Sequence, residues 1–342
     1  MSESSGAAER PERPEHPEHA NQADRAALII FPGALGDLIC LGPTIQAIGH
    51  DHGGAGLELI ARPELVRLAI GRMGIDGGSS IDRREMAELF VTDANEPSPG
   101  IKELFARYGT IHSFLASDNP TFRANLIAAA PDAVVRFYRF RPPGDSHVSD
   151  AYLAAYYASN GPAMPSPPSR NLIKLCEGDL SAAKATLAEL KLEAGGYVAI
   201  LPGSGSPTKN WPVAKYLDLA RRLAGQIGVL FIVGPAEADI EPVLRSSGLP
   251  IIADIDLGEV AALCRMARVF VGNDSGVSHL AAATGAPGVV IFGPTDPARW
   301  RPIGDIRVLR HDPATSLGET LGIDEVGLAV EQKIGETTAS AG

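Results

Sequence analysis

The run GNDSGVSHLAAATG, residues 272–285, sets Asp274, Ser275, Gly276 and His279 between an apolar stretch and an alanine-rich one. That order of residue types reads as a strand, a tight turn and a helix. The first amides of such a helix have no intrahelical acceptor, and the positive end of its dipole points outward. The turn therefore favours an anion such as a pyrophosphate. Ser275 and the Gly276 amide would donate to it. His279, one turn on, can donate to phosphate or stabilise a leaving group. Asp274 is a poor phosphate ligand because of its charge, so it either caps the helix or orients a cation. Taken alone, the same residues also describe an ordinary capped helix with a core histidine.

Three other stretches place comparable chemistry just beyond apolar runs. ILPGSGSPTKNWP (200–212) offers Gly203, Ser204 and Gly205, where a backbone can approach phosphate oxygens, and the cation Lys209. It lacks the spacing of a Walker A loop. FIVGPAEADI (231–240) carries Glu237, whose carboxylate can accept from both hydroxyls of a ribose, or sit at a helix start where the dipole favours it. FPGALGDLICLGPTIQAI (31–48) puts Asp37 in the first turn of a helix, which keeps it ionised and suits a general base taking a proton from a hydroxyl. As a helix-start carboxylate it is equally ordinary. VVRFYRFRPPG gathers Arg136, Arg139 and Arg141, with Arg123 upstream. Such arginines can bind phosphates of a lipid-linked saccharide, or simply line the solvent side of a strand.

These groups need a scaffold that brings strand ends together. Short apolar runs alternate with helical patterns along the chain: Ala26–Phe31, Leu57–Ala61 followed by a helix over Pro63–Arg72, TIHSFLAS, AAPDAVVRFYRF, then YVAILPGSG, GVLFIVGPAE, RVFVGNDSG and PGVVIFGPTD. Alternation of this kind implies parallel βαβ units in an open α/β sheet, whose ligands bind at the carboxyl ends of the strands. The Pro- and Ser-rich stretch SNGPAMPSPPSRN (159–171) reads as a linker. The expected plan is a disordered tail (1–25), an N-terminal domain (26–170), a C-terminal domain (171–332) and a frayed tail (333–342). GIDEVGLAVEQKI forms the closing amphipathic helix.

The chain of 342 residues suits two domains of roughly 150 residues each. With 45% hydrophobic and 21% charged residues it has a globular composition. No segment approaches the ~18 consecutive apolar residues of a membrane helix. Three scattered cysteines argue against a zinc site or a disulfide framework and for a reducing compartment. The net charge of −11 argues against binding nucleic acid. His16 and His19, in the repeated PEH of the tail, read as solvated rather than metal-binding.

In these motifs the chain resembles the family-9 glycosyltransferases, best known for the ADP-heptose:lipopolysaccharide heptosyltransferases. The residues that carry the resemblance are Gly36-Asp37 with Pro43 six positions on, the PGS…KNWP element, GPAE, and FVGNDSGVSHLAAATGAPGVVIFGPTDPARWRP. The likeness covers about residues 26–332, dense over 196–302 and weak over 75–170. It implies a GT-B fold: two Rossmann-like doubly wound domains facing a cleft, acceptor in the first and nucleotide-sugar in the second. It also implies inverting, metal-independent transfer by a monomer in the cytoplasm, in peripheral contact with the inner membrane. Asp37 would be the base. Ser204, Gly205, Lys209, Ser275, Gly276 and His279 would hold the diphosphate, Asp274 the donor sugar, Glu237 the ribose, and Ile255 the nucleobase.

The chemistry read from the residues agrees with this. A lysine, helix amides and a histidine can neutralise a departing diphosphate, so no cofactor or metal is expected. No Asp-x-Asp pair in acidic company stands where a divalent ion would be needed. A single carboxylate base suffices for one inverting displacement, whereas a glycosidase needs two carboxyl groups. A dehydrogenase is disfavoured because no GxGxxG opens either domain. The readings that remain beside the transferase are the same fold acting on another nucleotide-sugar and acceptor, a nucleotide-sugar epimerase or hydrolase, and a non-catalytic nucleotide-sugar-binding protein.

Overall fold

Two parallel sheets organise the computed structural model of the chain, which describes residues 25–91, 97–161, 171–311 and 321–339. The first is five-stranded: β1 (Ala26–Ile30), β2 (Leu57–Ala61), β3 (Gly77–Ser80), β4 (Tyr108–Ser113) and β5 (Val134–Phe137), in the order β3-β2-β1-β4-β5. The second is six-stranded: β6 (Tyr197–Leu201), β7 (Gly228–Val233), β8 (Ile251–Ala253), β9 (Val269–Asn273), β10 (Gly288–Phe292) and β11 (Ile306–Arg310), in the order β8-β7-β6-β9-β10-β11. Each sheet is doubly wound, its order reversing beside its first strand. The reversal opens a crevice between β1 and β4 in one domain and between β6 and β9 in the other. The turns after β1, β6 and β9 carry Asp37, Lys209 and Asp274. The apolar runs become strands buried along their whole length, as β6, β9 and β10 are, because helices cover both faces of a parallel sheet.

The helix Leu35–Asp51 is the centre of the assembly. Every residue from Leu38 to Ile45 is buried, then Ala47 and Ile48. A helix apolar all round has to be covered all round. The helix Val148–Asn160 packs on one side and the helix Gly276–Ala283, from the other domain, on another. The apolar core therefore runs unbroken from Ile29, Leu38 and Ile45 across to Phe270, Leu280 and Ala281. Pro43 lies inside this helix. It removes one backbone hydrogen bond, a cost that the packing must offset.

The segment after the proposed linker is ordered by backbone contacts to both domains. The Leu172 and Ile173 amides donate to the Ala283 carbonyl at 2.9 and 3.1 Å, and the Lys174 amide to the Arg72 carbonyl at 2.9 Å. Beside it a bidentate ion pair joins the domains, from Arg72 Nε to Asp179 Oδ2 at 2.7 Å and from Arg72 Nη2 to Asp179 Oδ1 at 2.5 Å. The Cys176 amide also donates to Asp179, and the Arg72 guanidinium, before burial can oppose it, holds this carboxyl below its usual range.

Several expectations shift. The closing helix runs Ile323–Ala339, well past 332, because it lies along the helix Val213–Ala224 and the adjoining strands rather than ending in solvent. The helix expected over Pro63–Arg72 ends at Ala69, where Ile70 turns extended. Residues 159 and 160 complete the helix Val148–Asn160. The rest of that linker, apart from Gly161 and Asn171, lies outside the described residues, as do His16, His19 and the tail up to residue 24. Strands β3, β8 and β11 are additions: two are only three or four residues long, and β11 intersperses Arg307 and Arg310 among its apolar residues at the sheet edge.

Asp179→Asn should lower stability by about 3 kcal/mol at neutral pH, because it leaves a largely buried guanidinium without its anion. A carboxyl whose pKa is depressed on folding stabilises above its unfolded pKa and loses that contribution as pH falls through the folded one. Urea unfolding of the two proteins should therefore differ at pH 7, and the difference should shrink only as pH falls below the ordinary carboxylate range, through the depressed pKa of the folded state.

Candidate active site

The amino ends of two helices, one from each domain, meet at the cleft. A methyl group on Gly276 would lie 3.0 Å from Leu35 Cβ and 3.1 Å from the Gly36 amide nitrogen, and one on Gly36 would lie 3.3 Å from His279 Cδ2. A side chain at either position would press these two backbones apart by a few tenths of an ångström, most of all at Gly276. Asp37 stands in the first turn of the N-domain helix and accepts from the Ala34 amide at 3.1 Å, which ties its carboxylate to the turn. Gly33 makes room for it, since a methyl group there would lie 2.8 Å from Asp37 Cβ and 2.5 Å from the Phe31 ring.

Across the cleft, Lys209 Nζ donates to Asp274 Oδ2 at 2.7 Å, with Asp274 only 5% exposed and the lysine side chain 28% exposed. The Thr295 hydroxyl donates to the same oxygen. Of the two uses open to Asp274, orienting the lysine is the one the geometry has. The cap of the helix Gly276–Ala283 is Ser275, whose Oγ accepts from the Ser278 amide at 3.2 Å.

The loop that carries Lys209 is held by Asn273, the last residue of β9 and fully buried. Asn273 Oδ1 accepts from the Trp211 amide and the Tyr216 hydroxyl, each at 2.9 Å, and its Nδ2 donates to the Pro202 carbonyl at 2.7 Å. One amide thus stitches the ends of β6 and β9 together at the switch point. The sequence reading missed it, although an asparagine closing a fully apolar strand was a signal, because a buried amide needs partners. Thr295, reached from β10, had no local signal.

His279 is 5% exposed and lies between the domains. Its Nδ1 is 3.6 Å from Cys40 Sγ and its Nε2 is 4.0 Å from Asp274 Oδ1. Burial pushes its pKa down to about 4, Asp274 opposes this, and a backbone hydrogen bond reaches Trp300. It is a neutral imidazole at pH 7, so any contact with phosphate would be that of a neutral donor. The Cys40 thiol is pushed far up, first by burial and then by Asp37 and Asp274, the two carboxylates that flank it.

The remaining candidates are distributed as follows. The Glu237 carboxylate accepts from the Gly234 amide at 2.8 Å and lies where a Gly203 side chain would stand, 1.8 Å from that position. Gly203 therefore serves Glu237 first. Burial raises the Glu237 pKa. The Ser204 hydroxyl donates to the Ser206 carbonyl at 2.7 Å and accepts from the Ser206 amide, so it shapes its own loop; Gly205 faces open space. Ile255 follows Asp254, which turns through the left-handed region at φ 53°, and packs half-buried on the core.

The four arginines do not form one cluster. Side chains alternate along β5, so Arg136 and Phe137 face opposite sides of the sheet. Arg123 lies 4.2 Å over the Phe137 ring on one side. Arg136 stands on the other with Tyr138, His52 and His112, its Nε buried without a hydrogen-bond partner among the described residues. Burial, then His52 and Arg136, pushes His112 down to about 3. Arg139 is exposed. Arg141 lies 5.3 Å over Phe140 and is the only one of the four whose charge, with that of Asp37, is felt at Tyr152.

Residues 132–312 match the family model described as Glycosyltransferase family 9 (heptosyltransferase). A lipopolysaccharide heptosyltransferase 1 of Escherichia coli O18:K1:H7 is 27% identical over 147 residues, 42% of this chain and 45% of that protein. The chain thus aligns with less than half the length of this curated relative. The glycosyl transferase family 9 structure from Veillonella parvula superposes with a TM-score of 0.72 at 17% identity, covering 92% of this chain and 98% of that one. The structure of the E. coli heptosyltransferase WaaC with ADP does so with a TM-score of 0.65 at 18% identity, covering 90% and 99%. The two doubly wound domains are those of a GT-B fold.

Asn273→Ala would strand the Trp211 amide, the Tyr216 hydroxyl and the Pro202 carbonyl in the interior. It should cost about 3 kcal/mol or more, read as a lower urea midpoint.

Proposed function

The chain belongs to glycosyltransferase family 9, and on that premise we propose that it moves a heptose-like sugar from a nucleotide-diphosphate donor, ADP-heptose, to a cell-envelope saccharide of the lipopolysaccharide-core type. The reading gains from two relatives: a curated lipopolysaccharide heptosyltransferase and a similarly folded structure that holds ADP. The observation that carries it is the ion pair of Lys209 and Asp274 beside one helix amino end, set against a second amino end that bears Asp37.

In this mechanism the acceptor hydroxyl gives its proton to Asp37 as its oxygen attacks the anomeric carbon. The bond from that carbon to the diphosphate oxygen breaks, ADP departs, and configuration inverts in the single displacement. Negative charge grows on the leaving diphosphate. Lys209 and the first amides of the Gly276–Ala283 helix face that charge, which is where fixed donors act most strongly. Asp274 aims the lysine and borders the sugar, and Glu237 takes the ribose hydroxyls. Because lysine and amides supply the positive charge, the reaction proceeds without a metal ion. Among the described residues no helix is long and apolar enough to cross a membrane, and the enzyme works at the cytoplasmic face of the membrane that carries its acceptor.

Asp37→Ala should reduce transfer by about 10³-fold or more, the scale of general-base catalysis, while ADP still raises the thermal midpoint by mass action. EDTA should leave the wild-type rate unchanged. Full turnover by the Asp37 variant would remove the base from this scheme, and turnover without acceptor would point to an epimerase or hydrolase.

A further inference from the structure

Thr295 to Arg301, following β10, forms a strap across the domain boundary. At one end the Thr295 hydroxyl donates to Asp274. At the other, the guanidinium of Arg299 reaches into the N-terminal domain, where Nη1 donates to the Gly144 carbonyl and, at 3.1 Å, to the Ser146 carbonyl, and Nη2 donates to the Pro142 carbonyl. His147 returns the contact: its Nε2 donates to the Arg301 carbonyl at 2.8 Å while its Nδ1 accepts from the Ser149 amide at 3.3 Å. One neutral tautomer satisfies both, and the same ring caps the helix Val148–Asn160.

The loop held in this way leads to Asp37 through packed rings. The Tyr152 hydroxyl donates to the Phe140 carbonyl, and the Phe140 ring meets Phe31 edge-on with centroids 5.6 Å apart. Phe31 in turn lies against Gly33, in the turn that leads to Asp37. Asp37, Arg141 and Arg299 all act on the phenol of Tyr152, the carboxylate raising its pKa and the arginines lowering it, though burial contributes most. A planar guanidinium with several donors can hold three carbonyls of one loop at once, which an ammonium cannot match in geometry.

We propose that Arg299, seconded by His147, is a positioning residue that fixes the Asp37 turn from the opposite domain, so that the base is in place only when the two domains are strapped together. This rests on the reading of Asp37 as the base. It assigns a role to the ARW segment, which the sequence offered only as part of a family motif.

Hydrogen exchange of the full-length protein without ligand, followed by mass spectrometry, tests it apart from activity. In Arg299→Ala, peptides covering Phe31–Cys40 and Phe140–His147 should exchange about tenfold faster or more, on the scale of lost charge-assisted hydrogen bonds. Peptides in β9 and β10 should not change. Arg299→Lys should fall between, which keeps the test decisive if the alanine variant folds poorly. In transfer assays kcat should drop in the same order while the donor KM stays within about twofold, as expected when only the base is displaced. Unchanged exchange over Phe31–Cys40 in both variants would overturn the proposal, as would a uniform rise across the protein. Local loosening with no transfer by any form, wild type included, would instead sink the functional reading and leave the strap standing.

Discussion

Two helices point their amino ends at one cleft, and everything else in the molecule accommodates that meeting. Gly36 and Gly276 are the condition for it, since a side chain on Gly276 would press on Leu35 and on the backbone of Gly36. Converging positive dipole ends favour negative charge on both sides of the junction. On one side that charge is the carboxylate of Asp37. On the other it is the diphosphate of the proposed donor. Packing the helices this closely buries His279 and Cys40 between the carboxylates Asp37 and Asp274. Both are neutral there, the imidazole by its lowered pKa and the thiol by its raised one.

The two doubly wound sheets supply the rigidity. A switch point between β6 and β9 leaves two loops side by side, and the fully buried Asn273 joins them by its hydrogen bonds. Lys209 then needs only a short reach to Asp274. The hinge side of the domain pair is held by Arg72 and Asp179, the cleft side by Arg299 and His147. The relative placement of base and cation is thus set by polar ties on both flanks of a continuous apolar core.

Much of this was legible in the sequence, because the informative features were local. Apolar runs ending in Gly, Pro and Asp marked β1, β6, β7 and β9 to within a residue or two, and the positions of Asp37, Lys209, Glu237 and Asp274 at strand ends followed. What could not be read depended on partners far along the chain. Whether Asp274 capped the helix or held Lys209 was decided by an ion pair 65 residues apart in sequence. Arg123 and Arg136 looked like one basic group, yet alternation along β5 turns Phe137, over which the helical Arg123 lies, to the face opposite Arg136. Arg299 and His147 lie 153 residues or more from their opposite contacts, among loop residues with no periodicity to signal a role. Short or amphipathic edge strands escaped for a related reason, since β3 and β8 carry too few residues for a pattern.

The direct test of the central claim is the single-turnover rate of transfer in Gly276→Ala, measured beside its affinity for ADP. A methyl group there has to move the two amino ends apart by a few tenths of an ångström, and reactions held at near-contact distance are sensitive to such shifts. The account predicts a rate about tenfold lower or more, with ADP affinity within a few-fold of wild type. A wild-type rate in a folded, ADP-binding Gly276→Ala protein would contradict it.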